Sequence, residues 1–382
     1  MIKGDYSRTI ELMYRGKRTP FQVVRSDTGE EYGIGKMVGR DSYGEVYLAL
    51  RLRDNKELVF KEFRPGMSRT KTYPEIWKNI EDLAADPVTE DDGKTKLQTL
   101  VQPVGPEGII HLSASKGFGY ILEKVDTGRF LNIGKFRASF PDAEVVCNAC
   151  IQIATAFRRI HISKGMILKN INDGIFFIDP KTGDVRIVCF DDICLPEKTS
   201  VYGTMGYMAP EQYVMHTSDV YTDYFSMAVA FYRLLVGGYP YDGKKAAAFM
   251  DRNYAAAVEP QSIIYGRDAV FAFDPKDRSN TIEGLTDPAA PNLYKAQVML
   301  WNDLPEELQN RFIEAFSTGK DAEKRHLRPT DRDWIKTFQN VKREKLVKCP
   351  GCGRISFGSA NPGKKCLKCD GILPGIKSAE DI

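Results

Sequence analysis

The chain has 382 residues, a formal charge of only +3 and 42% hydrophobic residues, which is the make-up of an ordinary globular protein with room for two or three domains. So small a net charge argues against binding nucleic acid through the whole surface. The start, Met1-Ile-Lys-Gly-Asp-Tyr-Ser-Arg8, has no apolar signal core, and no eighteen consecutive residues are apolar, so secretion and membrane spanning are unsupported and a cytoplasmic location is expected. In that compartment the eight cysteines read as buried thiols or metal ligands rather than disulfides.

Residues 1–25 alternate weakly and are expected to be an extension laid on the first domain. Three runs then alternate with period two and are rich in β-branched and aromatic residues: Tyr32 to Val38, Gly44 to Leu50 and Glu57 to Phe63. They predict antiparallel strands, with the turn Gly39-Arg-Asp-Ser-Tyr-Gly44 between the first two and Lys61 in mid-strand. A helix is expected over Tyr73 to Ala85, and a further strand within Gly117 to Gly128. Ala143 to Ile160 is an amphipathic helix in which Cys147 and Cys150 read as small core residues.

Gly165 to Asp179 and Asp184 to Asp191 follow, then Gly203-Thr-Met-Gly-Tyr-Met-Ala-Pro-Glu211. Asp223 to Leu235 is apolar on nearly every face at helical length, which predicts a helix buried all round, and Gly237-Gly-Tyr-Pro-Tyr-Asp-Gly243 stops it. Residues 244–302 read as an insert, and Asp331 to Lys345 as a closing helix. Last comes C-x2-C-x13-C-x2-C, formed by Cys349, Cys352, Cys366 and Cys369. Two glycine-bearing knuckles at that spacing can present four thiolates to zinc, and in so short a tail the metal would supply the folding energy that a small core cannot. Arg354, Lys364, Lys365 and Lys368 would surround this zinc ribbon with positive charge.

From Tyr32 to Val341 the order of motifs resembles a eukaryotic-type protein kinase, most of all GTxGYxAPE, then a D-x-x-S helix, then GxxPxxG. The resemblance implies an α+β, bilobal kinase-like fold: a small antiparallel N-lobe over 26–125, a mainly helical C-lobe over 126–345 with its insert, and the ribbon and tail over 346–382. It further implies a nucleotide pocket drawn from Gly39, Gly44, Val46, Val59, Lys61, Glu123, Val125 and Phe177, with either Glu75 or Glu81 pairing with Lys61. Leu122 would be gatekeeper.

Carried over residue by residue, the chemistry is missing. Asn170 stands for the catalytic aspartate, Ile175 for the metal-binding asparagine and Cys189 for the magnesium-binding aspartate; Asp191 replaces a glycine and is the one residual acidic candidate. An amide cannot take a proton at neutral pH, isoleucine cannot ligate magnesium, and a thiol is a soft ligand for a hard ion. Asp41 interrupts the phosphate-loop glycines, and Val59 and Phe177 are bulkier than the family's usual residues around adenine. Magnesium and ATP therefore lack their usual ligands. The packing residues are kept: Phe190, Asp223, and Glu211 with Arg328.

That asymmetry implies a pseudokinase. The finer resemblance is to bacterial kinases that accompany von Willebrand A-domain proteins and metal-dependent protein phosphatases, which are the partners it implies for a signalling scaffold docking through the C-lobe. An active kinase of unorthodox chemistry, using Lys61, Asp191 and Asp173, and a nucleic-acid-binding protein led by the ribbon remain as alternatives.

Overall fold

The computed structural model describes residues 8–25, 29–40, 44–63, 95–97, 100–104, 119–188, 193–196, 203–253, 262–359 and 363–376. The helix expected over Tyr73 to Ala85, with Glu75 and Glu81, lies outside the described residues, as do Asp41, Cys189, Phe190 and Asp191. The chain divides into two compact units, the first drawn mainly from residues 1–126 and the second mainly from Thr127 through the cysteine-rich tail.

The first unit is built on a seven-stranded antiparallel sheet in the order β1-β2-β3-β4-β5-β8-β7. Its strands are β1 (Thr9–Tyr14), β2 (Lys17–Arg25), β3 (Glu31–Arg40), β4 (Gly44–Arg51), β5 (Lys56–Phe63), β7 (Leu100–Val104) and β8 (Gly119–Glu123); a short β6 (Thr95–Leu97), between β5 and β7 in the chain, is not part of this sheet. The three strands read from period-two alternation are β3, β4 and β5. The N-terminal extension is a full hairpin that lengthens the sheet: Ile10, Leu12 and Tyr14 pack on a cluster of Phe21, Leu48 and Leu50.

The second unit is organised around α4 (Val220–Leu235). Asp219 caps it by accepting from the Tyr221 and Thr222 amides at 2.9 and 3.2 Å, and Phe225 and Met227 to Tyr232 are wholly buried. Around it lie α2 (Ala143–Lys164), α7 (Glu306–Phe316) and α8 (Asp331–Glu344). Aromatic edges lock these together: Phe231 meets Trp334 and Phe338 at centroid distances of 5.1 and 5.3 Å, and Tyr232 meets Phe312 at 5.6 Å. Each such contact adds about 0.5–1.5 kcal/mol beyond area burial. A small sheet places β12 (Val185–Ile187), β11 (Phe176–Ile178) and β9 (Leu131–Asn132) in that order, and β10 (Ile167–Leu168) pairs with β13 (Ile193–Cys194).

Residues 244–302 are more than an added surface. They contain α5 (Lys244–Asn253), a π-helical turn (Ser262–Arg267) and α6 (Leu293–Asp303), but Ala269 to Ala272 and Trp301 are buried in the same core as α4. Phe271 lies 5.5 Å from Trp301 and 5.9 Å from Tyr232. Asn280 is 2% exposed, donates to the Tyr241 and Val270 carbonyls at 2.8 and 2.7 Å, and accepts from the Lys245 and Ala246 amides. A length argument marks extra chain. It does not register that this chain supplies core side chains and buried polar bonds.

The tail forms β14 (Leu346–Lys348) and β15 (Ile355–Phe357) and belongs to the second unit. Two of its basic residues anchor it there. Arg354 donates to the Phe140 and Pro141 carbonyls at 2.7 and 2.6 Å and covers the Phe140 ring at 3.9 Å, while Lys364 binds Asp303 at 2.9 Å. The expected ring of positive charge is thus reduced to Lys365 and Lys368, which are exposed.

Candidate functional site

In the second unit α2 ends at Gly165, and the chain enters β10, where Leu168 is buried and its amide donates to Asp223 Oδ2 at 2.7 Å. The same carboxylate oxygen receives His161 Nε2 at 3.0 Å, and His161 Nδ1 lies 3.0 Å from Asp331 Oδ2. Leu168 occupies the motif's histidine position, so the ring that meets Asp223 comes from α2 instead. Burial alone would lower the His161 pKa, but its bonds to the two carboxylates outweigh this and raise it to about 9. Burial pushes the Asp223 carboxyl up against His161's pull. Sequence reading missed His161, because nothing in a lone histidine on an amphipathic helix reveals two acidic partners 62 and 170 positions away.

Asn170 follows with φ +52°, a left-handed conformation that asparagine tolerates better than most residues. Its Oδ1 accepts from Thr204 Oγ1 at 3.0 Å, and its carbonyl accepts from Asn172 Nδ2 at 2.8 Å. Ile175 is 5% exposed, and its carbonyl takes the Val188 amide at 2.9 Å. An amide and a buried aliphatic side chain therefore stand at the two motif positions, and neither offers a base or an anionic ligand. Phe177, next along β11, is half-buried.

Asp173 is committed elsewhere. It accepts from Tyr207 at 2.5 Å and forms an ion pair with Arg233, whose guanidinium covers the Tyr239 ring at 4.4 Å. Burial pushes its carboxyl up, yet the bonds from Arg233 and Tyr207 hold it below the usual carboxylate range, the opposite of a poised base. Glu211 and Arg328 meet in a bidentate pair at 2.6 and 2.8 Å with both side chains fully buried.

In the first unit Lys61 is 5% exposed in β5, paired across the sheet with Val46 and Tyr120, and its ammonium lies 5.5 Å from the Phe63 ring. Val59 and Leu122 are buried beside it, whereas Glu123 and Val125 are half-buried. Gly39 is exposed, and a Cβ there would meet the Val46 side chain at an ordinary 3.9 Å. Gly44 has a packing reason of its own: a Cβ there would sit 2.0 Å from the Glu62 carbonyl. Glu62 is forced up to about 7 by burial and by Glu45, a group sequence reading did not single out.

The four tail cysteines converge. Their sulfurs all lie within 4.8 Å of one another, with Cys349 to Cys369 at 3.5 Å and Cys352 to Cys366 at 3.7 Å. A tetrahedral thiolate site with metal–sulfur bonds of about 2.3 Å needs sulfurs about 3.8 Å apart, so the set fits a metal ion. The amides of Cys352 and Gly351 lower the Cys349 thiol; burial pushes Cys366 up, but the Lys368 and Cys369 amides bring it down to about 6. Cys147 and Cys150 are buried in α2, away from this cluster, and burial raises both thiols, Cys147 to about 12.

This architecture and these motifs define a protein kinase fold. Residues 32–283, more than half of the chain, match the protein kinase domain model, so the chain belongs to that family. Within it the chain is similar to bacterial eukaryotic-like members. Serine/threonine-protein kinase PknD of Chlamydia felis is 23% identical over 304 residues, covering 69% of this chain and 31% of PknD. A probable serine/threonine-protein kinase PknB of Bifidobacterium longum is 24% identical over 246 residues, covering 61% of this chain and 34% of PknB. The chain thus spans about a third of the length of the curated relatives it matches. Among solved structures, the Cydia pomonella granulovirus kinase PK-1 superposes with a TM-score of 0.54 at 16% identity, over 80% of this chain and 93% of that one, a likeness of fold. Among the described residues no helix is long and apolar enough to cross a membrane.

Proposed function

We propose that the chain is a pseudokinase, a protein kinase fold that acts as a signalling scaffold or allosteric partner without transferring phosphate. The observation that carries this is the pairing at the catalytic loop: Asn170 bonded through its amide oxygen to Thr204, with the aliphatic Ile175 buried at the metal-side position. Loss of the general base alone costs about 10²–10⁴-fold in rate, and loss of the metal ligand compounds it. Asp173, which an active reading would enlist, is neutralised by Arg233.

The four-thiolate cluster takes one zinc ion in a structural role, held by Cys349, Cys352, Cys366 and Cys369, where the metal cross-links two knuckles that have little core of their own. Partner binding runs through the second unit, to a von Willebrand A-domain protein or a metal-dependent phosphatase. Arg278 and Lys295, both exposed, are suited to probing that surface because their substitution leaves the buried core intact.

A thermal-shift titration with ATP, with and without magnesium, tests the reading, since a ligand that binds the native state must raise apparent stability. No magnesium-dependent shift is expected. A saturable rise that requires magnesium would support the active-kinase alternative instead.

A further inference from the structure

Between the tail and the body of the second unit is a cavity of about 120 Å³ that the kinase reading leaves without a role. Its apolar lining includes Phe140, Leu234, Leu235 and Leu300, and polar groups enter it from both sides: Arg137 from α1 (Ile133–Ala138) and Ser356 from β15. Two features of those groups point to a ligand. The Ser356 side chain is buried, with the residue 7% exposed, and its hydroxyl has no hydrogen-bond partner. A buried hydroxyl in that condition costs about 1–3 kcal/mol. Arg137 donates to the Val236 carbonyl at 3.2 Å, but among the described residues no carboxylate lies within ion-pair distance of it. Burial and the neighbouring Arg233 disfavour its charge, and Asp173 offsets them only in part.

The fold makes room for this guanidinium at a cost in backbone freedom. Gly237 has φ +96°, and a Cβ there would fall 1.9 Å from an Arg137 terminal nitrogen. Arg354, also lining the cavity, gives its terminal nitrogens to the Phe140 and Pro141 carbonyls and lies 3.7 Å from Asp142, and Asp303 is paired with Lys364. Arg137 is left as the lining charge without an ion-pair partner among the described residues.

We infer that this cavity binds a small monocarboxylate with a branched or short apolar body, its carboxylate on Arg137 and the Ser356 hydroxyl, its body against Leu234, Leu235 and Leu300. A guanidinium donates two parallel bonds to a carboxylate, and a serine hydroxyl can supply a third. The size sets the class. A cavity of about 150 Å³ accepts benzene, so about six non-hydrogen atoms is the limit here.

The test uses full-length, zinc-replete protein and isobutyrate as the probe, with isobutyramide and sulfate as comparators, read by calorimetry and by ligand-observed NMR. Isobutyrate is expected to saturate at millimolar concentration, with both comparators at least about tenfold weaker, because one lacks the charge and the other the apolar body. Ser356→Ala is expected to leave melting unchanged or raised and to weaken isobutyrate about tenfold. Leu300→Phe, which fills the cavity from its wall, is expected to abolish binding. Arg137→Met should abolish it too, and if that variant melts early the other two decide the matter. Absence of saturable isobutyrate binding, equal binding of sulfate, or undiminished binding to folded Ser356→Ala and Leu300→Phe would each overturn the inference.

Discussion

His161 shows how a single side chain can restore what a motif has lost. Held between Asp223 and Asp331, with its pKa raised to about 9, it stabilises the fold while protonated. The sign follows from linkage: the contribution is complete below the unfolded value of about 6.5 and disappears as pH rises through about 9. Denaturant unfolding of wild type should therefore weaken across that window by up to about 3 kcal/mol, whereas His161→Gln should start lower and stay nearly flat. A wild-type profile as flat as the variant's would remove the imidazolium from the account. Arg328→Ala tests the other buried charge: stripping Glu211 of its partner should cost about 3–5 kcal/mol in urea unfolding. Glu211 and Arg328 are 117 positions apart and could be paired from sequence only through the family's pattern. Asn170 and Ile175 are assigned their positions by the same route, since a gapless motif puts residue against role. His161 had no pattern to announce it.

At the level of elements, periodicity carried most of the information. The alternation in β3 to β5 and the all-round apolarity of α4 each specify a local structure whose burial follows directly. The segment over 244–302 was opaque because its core residues, among them Ala269 to Ala272, Ile282 and Trp301, are scattered in runs too short to show a period, and Asn280 acts through four backbone bonds that no sequence pattern encodes. Asn280→Ala is expected to lower stability by about 2–4 kcal/mol by orphaning those groups, while Arg278→Ala, at an exposed ion pair, should change it by less than about 1 kcal/mol. Comparable losses in the two variants would contradict a core role for the segment. In the tail, elemental analysis is expected to find one zinc per chain in the wild type and none in Cys352→Ser with Cys369→Ser. The second unit's core around Trp334 should stay folded, as near-ultraviolet circular dichroism would report. Full retention of zinc in that double variant would refute the ligand set.

Across the molecule, packing residues expected of a protein kinase are in place, and the proposed pseudokinase reading rests on the contrast between them and two positions of the catalytic loop. The buried Glu211–Arg328 pair, the Asp223 brace on β10 and the aromatic core about α4 all persist. At the positions of base and metal ligand stand Asn170 and Ile175. The proposal of a fold kept for stability and surface rather than for chemistry stands on that contrast. Its most direct test is radiolabel transfer from ATP in the presence of magnesium, to the protein itself and to a generic substrate, measured for wild type beside Lys61→Ala. The account predicts that the two are indistinguishable and at background; transfer by wild type that vanishes in Lys61→Ala would contradict it.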